Sequence, residues 1–471
     1  MEKKTLRLIA LGAAVAAAAC SDASRPTAPS LSTPQSAASS SNAPWTKVKF
    51  VSIGTSISMG WLSNGVYAGS QVQAWPALMR FGGSDRISLP LIQSPGCLSP
   101  LLAPLGNGVR LSGEPFEPHN ICASNLAGVQ LPTQNVAAAG AIALFALTMT
   151  PEAALTFNPP LPWYSRVLPP GMTEVTAALS QNPTLVSVEL GGQDVLLATG
   201  GLIALGVNVV PVPQFEAAFD AVLNAVGSAG PKALLFGMPS NGRNLPALRR
   251  GDEIWADRAE FAALHVDVSS DCTNSPNYIN VSLKSLELAF AAAYTSTHGL
   301  PNPVFSCADI PGQEDRVLTP VDLDSLDSWM GQMADHARAQ AASRGYAFAS
   351  LGELYDRRDL KPPVYSVVAQ LTSAYPYGAY ISLDGVHPGP LGHVVLARAA
   401  AKALNKTYPG IAAHLPDLLA EAPIGPLLIE AAPSPFALEM AQRIALQHQG
   451  QRMPRCSMPG DCSIIPGARM P

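Results

Sequence analysis

An α/β fold, with a parallel sheet covered by helices on both faces, is what this sequence predicts, and three observations carry the prediction. Short runs of β-branched and aromatic residues each end abruptly at a glycine or proline. Stretches of helical length and spacing stand between them, so strand and helix alternate as they do in sheets built from βαβ units. An apolar share of 48% against a charged share of 13% allows most of the 471 residues to join a sizeable core.

The chain begins with an address rather than a structural element. Lys3, Lys4 and Arg7 form a basic head, Leu8 to Ala19 an apolar stretch, and Ala17, Ala18 and Ala19 lead into Cys20. About twelve apolar residues fall short of the roughly 20 that span a bilayer. The pattern resembles a bacterial lipoprotein signal over residues 1–20. That resemblance implies that Cys20 becomes the lipidated first residue of an outer-membrane lipoprotein, with Ser21 permitting the sorting and the lipid anchor tying the chain to the membrane. Ala17 stands where such signals usually carry leucine, and an ordinary secretory signal is the alternative; either one exports the protein.

Residues 21–44 are Ser, Thr, Ala and Pro with few large apolar groups, and read as a flexible tether. A main domain is expected over 45–410. Its first strand signal, Trp45 to Ile53, stops at Gly54; a second, Thr184 to Leu190, stops at Gly191-Gly192; a third, Lys232 to Met238, stops at Pro239. Helical patterns are expected at 71–81, 172–180, 215–226, 282–294 and 326–343. Pro390 then opens a final helix over 391–404, since proline is tolerated in a first turn. Residues 411–471 read as a Pro-rich extension in which only Phe436 to His448 has helical spacing.

With Cys20 set aside, Cys97, Cys122, Cys272, Cys307, Cys456 and Cys462 form an even set suited to an oxidising envelope. Of about fifteen possible connectivities, nearest neighbours in sequence order is the expectation. Zinc is disfavoured because no Cys-x-x-Cys occurs and His119 with Cys122 is the only close His/Cys pair. A net charge of -5 without a basic run leaves no footprint for nucleic acid.

Functional groups in open α/β sheets gather where strands end, so the breaks are the places to search. Ser56, in Gly54-Thr55-Ser56-Ile57-Ser58, directly follows the first strand, and Gly54 is expected to leave room for a substrate carbonyl. Asp384-Gly385-Val386-His387 sits in the loop before the last helix. There a neutral imidazole suits a general base near pH 7, and a carboxylate three residues earlier can fix its tautomer. His393 is a rival base inside the helical run, where a histidine satisfied by the core is the alternative. Small residues around Gly140 would let a backbone amide approach a developing oxyanion, and Gln193 offers a side-chain amide after a strand. Taken singly, each break is equally explained by packing or a plain turn.

In order and position together, Ser56, Gly140, Gln193 and Asp384-x-x-His387 resemble the blocks of the SGNH/GDSL hydrolases, over roughly Lys47 to Asn405. The resemblance implies a three-layer α/β/α sandwich with a mostly parallel, flavodoxin-like sheet and long loop insertions. It implies Ser56 as nucleophile, His387 as base and Asp384 as its partner. The oxyanion hole would come from Ser56, Gly140 and Gln193, and no metal or organic cofactor is needed. Two positions depart from the family. Thr55 replaces the aspartate of Gly-Asp-Ser, which removes an anchor for the loop, and Gln193 replaces an asparagine, placing its amide one methylene further out. A mis-aimed oxyanion donor costs about 3 to 4 kcal/mol of transition-state stabilisation.

The expected activity is hydrolysis of carboxylic esters, in a lipid or an acylated glycan, through an acyl-enzyme. A non-catalytic surface lipoprotein that binds glycan or lipid is the alternative, and an envelope structural protein a third. The insertions 94–131 and 251–323 are expected to wall the substrate site. Trp75, Trp163, Trp255 and Trp329 are candidates for an acyl pocket or for the core.

Overall fold

The computed structural model describes residues 47–82, 86–113 and 122–415. The Cys20 signal, the 21–44 tether, the Phe436–His448 helix, Cys456 and Cys462 therefore lie outside the described residues. The elements that position the site are β1 (Phe50–Gly54), α1 (Ser56–Met59), α2 (Glu174–Leu179), β2 (Leu185–Glu189), α3 (Gly192–Leu196), α4 (Val212–Ala229), β3 (Lys232–Gly237), α5 (Val281–His298), α6 (Pro320–Arg344), β4 (Ala347–Ser350) and α7 (Pro390–Thr407).

The strands form one parallel sheet in the order β1-β2-β3-β4. Phe50 faces Leu185, Leu185 faces Lys232, and Ala347 faces Leu234. Every residue of β1 and β2 is buried, as expected of strands covered on both sides. A further extended segment runs along the free edge of β1, where Asn135 bridges Ser52 in parallel. Counting that segment, the strand order is that of a flavodoxin-like sheet. Helices α2, α4 and α6 pack on one face and α7 on the other, giving three layers.

Sequence patterns located the long helices and missed their ends. Helix α6 starts six residues before Leu326 because Thr319 and Asp322 form reciprocal caps, with Thr319 Oγ1 accepting from the Asp322 amide and Pro320 in the first turn. The helix expected over 71–81 is instead two short turns, Ala68–Gln71 and Trp75–Leu78, followed by a strand pair between Arg80–Phe81 and Ala413–His414. Pro76 explains the break: it fits only a first turn, so the helix must restart there. Strand β4 was not among the expected strands: it is the short run Ala-Phe-Ala-Ser, and alanine is a poor strand former.

Cys97 pairs with Cys122 and Cys272 with Cys307, the nearest-neighbour pattern, as befits a chain matured in an oxidising compartment.

Candidate active site

Helix α1 begins where β1 stops. Thr55 caps it, its Oγ1 accepting from the Ile57 amide, and Ser56 is the first helical residue, so its own N–H has no intrahelical acceptor. Gly54 serves close packing rather than substrate room: a Cβ there would lie 2.7 Å from Ser58 Oγ and 3.1 Å from the Glu189 carbonyl oxygen.

Ser56 Oγ lies 2.9 Å from His387 Nε2, and His387 Nδ1 lies 2.9 Å from Asp384 Oδ2. The His387 loop is wired to the chain beyond α1. Ser63 N–H donates to Ser382 Oγ at 3.0 Å, Leu383 N–H to Ser63 Oγ at 3.2 Å, and Asn64 N–H to Asp384 Oδ2 at 2.9 Å. Asp384 Oδ1 accepts from Ser382 Oγ and from the amides of Val386 and His387. Burial alone would raise the Asp384 carboxyl, but the charge of His387 and these hydrogen bonds outweigh it and hold the group down at about 2. An ionised Asp384 accepts only, so the imidazole carries its proton on Nδ1 and turns a free lone pair on Nε2 toward the Ser56 hydroxyl.

The anchor that Thr55 was expected to lose is supplied from the neighbouring strand. Glu189, the last residue of β2, accepts from Thr55 N–H at 3.1 Å, Thr55 Oγ1 at 3.0 Å, Ser58 N–H at 3.3 Å and Ser58 Oγ at 2.9 Å. Burial pushes Glu189 up to about 7 against the pull of those bonds. Beside it, buried Glu174 accepts from Gly54 N–H at 3.0 Å; burial, with Glu189 adding to it, raises its carboxyl well above the usual range. The sequence held no signal for Glu189 beyond its place two residues before the Gly191-Gly192 break.

Gly140 lies in a turn beside the end of β1, because Ala138 N–H donates to the Gly54 carbonyl at 3.0 Å. Its φ of +79° is the left-handed region that favours glycine, and the space where a Cβ would stand is open. Trp163 Nε1 fixes the turn through the Ala139 carbonyl at 2.7 Å and packs edge-on against Trp61, whose ring lies 6.5 Å from that of His387. Gln193 sits on α3, the helix that follows β2. Its neighbour Asp194 is buried, accepts from Ala143 N–H and thereby ties α3 to the Gly140 segment; burial pushes that carboxyl up to about 7 against the Ala143 bond. Among the described residues, nothing accepts the N–H of Ser56 or Gly140, and the Gln193 side-chain amide donates to none.

Ser56, Gln193 and His387 line one cleft of ≈ 780 Å³, counting the part open to solvent. Its other walls are largely aliphatic, including Val195, Leu196, Met238, Leu326 and Met330. Among the described residues, the insertion 94–131 contributes nothing to this lining and the insertion 251–323 contributes only Leu323, contrary to expectation: scaffold helices and strand ends make the walls. None of the four tryptophans lines it either. Trp75 and Trp163 are buried, and Trp255 and Trp329 pack partly buried against the core. His393 is buried, accepts from Trp75 N–H at Nδ1, and is driven down to about 3 by burial and then by His387. It is a core histidine.

No family model matches the chain, and no curated protein does. Among solved structures, a variant of an acetyl-xylooligosaccharide esterase from Geobacillus Stearmophilus is 12% identical, with a TM-score of 0.30, covering 76% of this chain and 94% of its own. An extracellular lipase from Streptomyces rimosus is also 12% identical, with a TM-score of 0.29, covering 75% of this chain and all of its own at 100%. At that overlap, function has to be read from this chain's own geometry.

Proposed function

We propose that the protein hydrolyses carboxylic esters by acyl transfer through Ser56. The observation that carries this reading is the unbroken chain of two 2.9 Å contacts from the Ser56 hydroxyl through His387 to the ionised Asp384. Ser56 Oγ forms a bond to the ester carbonyl carbon while its proton passes to His387 Nε2. The carbonyl oxygen, now negative, is met by the unpaired N–H groups of Ser56 and Gly140 and the Gln193 amide. On collapse, the bond to the alcohol oxygen breaks and His387 returns the proton to that oxygen. Water, deprotonated by the same imidazole, then releases the acid and restores Ser56. Asp384 stays ionised throughout and stabilises the imidazolium.

The non-catalytic alternative drew on Thr55 and Gln193. Glu189 supports the catalytic reading against it, since a carboxylate still holds the nucleophile loop. Steady-state hydrolysis of p-nitrophenyl butyrate by the wild type, Ser56→Ala and His387→Ala proteins tests the proposal. Turnover that falls by about 10⁴-fold in each variant supports it; undiminished turnover in Ser56→Ala would exclude Ser56 as nucleophile.

Export to the cell envelope with Cys20 as lipid anchor belongs to the same reading, supported by the two disulfides and the leader pattern. Membrane fractionation of a Cys20→Ser variant tests the anchor: release into the soluble fraction supports it, and an unchanged distribution favours simple secretion.

A further inference from the structure

We infer that the cleft is an acyl-chain site and that the preferred substrates are esters of medium-chain, unbranched fatty acids rather than acetylated sugars. This inference rests on the ester-hydrolase reading and names its substrate class.

The cleft follows the C-terminal edge of the sheet. Ser56 follows β1, Gln193 follows β2, Met238 and Pro239 follow β3, and Leu351 follows β4, and all five line the same space. These four strands are neighbours in that order. Three inter-strand spacings of about 4.8 Å make a trough about 14 Å long, with the nucleophile at one end. With C–C bonds of about 1.5 Å that advance by less than their length along a zigzag, about ten carbons fill it.

The chemistry of the walls selects the occupant. Leu323, Leu326 and Met330 line it from α6, with Leu248, Met238 and Leu351 from loops and strand ends, each at most 6% exposed. A sugar would need hydrogen-bonding side chains at its hydroxyls. Most of those present are otherwise engaged: Thr199 Oγ1 donates to the Leu196 carbonyl, Tyr355 Oη to the Val386 carbonyl, and Thr55 Oγ1 to Glu189, while Asn241 Oδ1 accepts from Arg243 N–H. Gln193 and Ser56 stand at the reacting carbonyl, which leaves the Asn241 amide as the lining side chain with donors to spare along the trough, too few for the several hydroxyls of a sugar. The far wall is also fixed before any ligand arrives. Gly242 N–H donates to Asp327 of α6 at 2.7 Å, Arg243 pairs with Asp324 and Asp327, and Lys361 Nζ donates to the Arg243 carbonyl at 2.9 Å.

The test is kcat/KM of the full chain on p-nitrophenyl acetate, butyrate, octanoate, decanoate and tetradecanoate, beside release of acetate from acetylated xylo-oligosaccharide. Each fully buried methylene is worth roughly fourfold. Octanoate is therefore expected to exceed acetate by at least about 20-fold, with a maximum near decanoate. Leu326→Trp shortens the trough and should cut the octanoate-to-acetate ratio at least about tenfold. Met330→Ala lengthens it and should move the maximum toward tetradecanoate, so a misfolded Trp variant leaves the question answerable. A flat or falling chain-length series, or acetylated oligosaccharide turned over faster than octanoate, overturns the acyl-chain site. In either case, labelling of Ser56 by a fluorophosphonate leaves the hydrolase reading standing; no labelling together with no turnover of any ester overturns both.

Discussion

The backbone amide of Asn64 donates a 2.9 Å hydrogen bond to Asp384 Oδ2, the same oxygen that meets His387 Nδ1, across 320 positions of sequence. One carboxylate oxygen thus joins the chain that leaves α1 to the loop that carries His387. Asp384 both orients the imidazole and registers the two loops against each other.

Asp384→Asn is accordingly expected to lower kcat/KM by about 10³- to 10⁴-fold, because an amide can no longer hold the proton on Nδ1 or stabilise the imidazolium. Steady-state ester hydrolysis measures it. A loss of less than tenfold would mean that His387 does not depend on this partner.

The same carboxylate shapes stability in acid. Its folded value of about 2 lies below the ordinary 3.8, so its contribution is present above about pH 4 and is lost as pH falls from there toward 2. Urea midpoints across that window should drop in the wild type, and the drop should flatten in Asp384→Asn. A fully buried group with this shift corresponds to about 2 kcal/mol.

Glu189 has the opposite sign. Its folded value near 7 exceeds the ordinary 4.5, so the stability it favours is present below about pH 4.5 and is lost as pH rises through 7. Glu189→Gln should remove that slope and keep activity within about tenfold, since a carboxamide oxygen still accepts from Thr55 and Ser58. Glu189→Leu leaves those donors unpaired and should lower kcat more than tenfold with KM little changed. Equal activity in both variants would deny Glu189 a positioning role.

These residues mark what the sequence could and could not reveal. Ser56, His387 and Asp384, which the fold joins by hydrogen bonds, each sit at a glycine- or proline-marked break, as do Gln193, which lines the same cleft, and Gly140, which is not among its lining residues. Glu189 was not legible, since a carboxylate at the end of a mostly apolar strand acquires meaning only when parallel pairing sets it beside Gly54. Ser63, Asn64 and Ser382 escaped notice for the same reason: their partners lie more than three hundred positions away, and no local periodicity records such a contact. The cleft was misplaced because insertions were expected to wall it, whereas α6, a long scaffold helix, lines it with Leu323, Leu326 and Met330.

Gln193→Ala should reduce kcat by about 10²- to 10³-fold, the usual cost of one oxyanion donor, with KM for a short ester little altered. An unchanged kcat would show that the two backbone N–H groups suffice and that the extra methylene leaves the amide out of range.

Opening the Cys272–Cys307 bridge by the paired serine substitutions frees a loop with a sequence separation of 35, and should cost about 3 to 4 kcal/mol in urea unfolding. A loss under 1 kcal/mol would mean that the hydrogen bonds of Asp271 to Cys307 and Ser306 hold this loop without the bridge.

The central claim is that Ser56 becomes acylated, and mass spectrometry addresses it without kinetic inference. After reaction of the full chain with a fluorophosphonate, tryptic peptides should carry one adduct, on Ser56, and the Ser56→Ala protein should carry none. An adduct on another residue, or wild type that turns over esters without ever labelling at Ser56, would contradict the account.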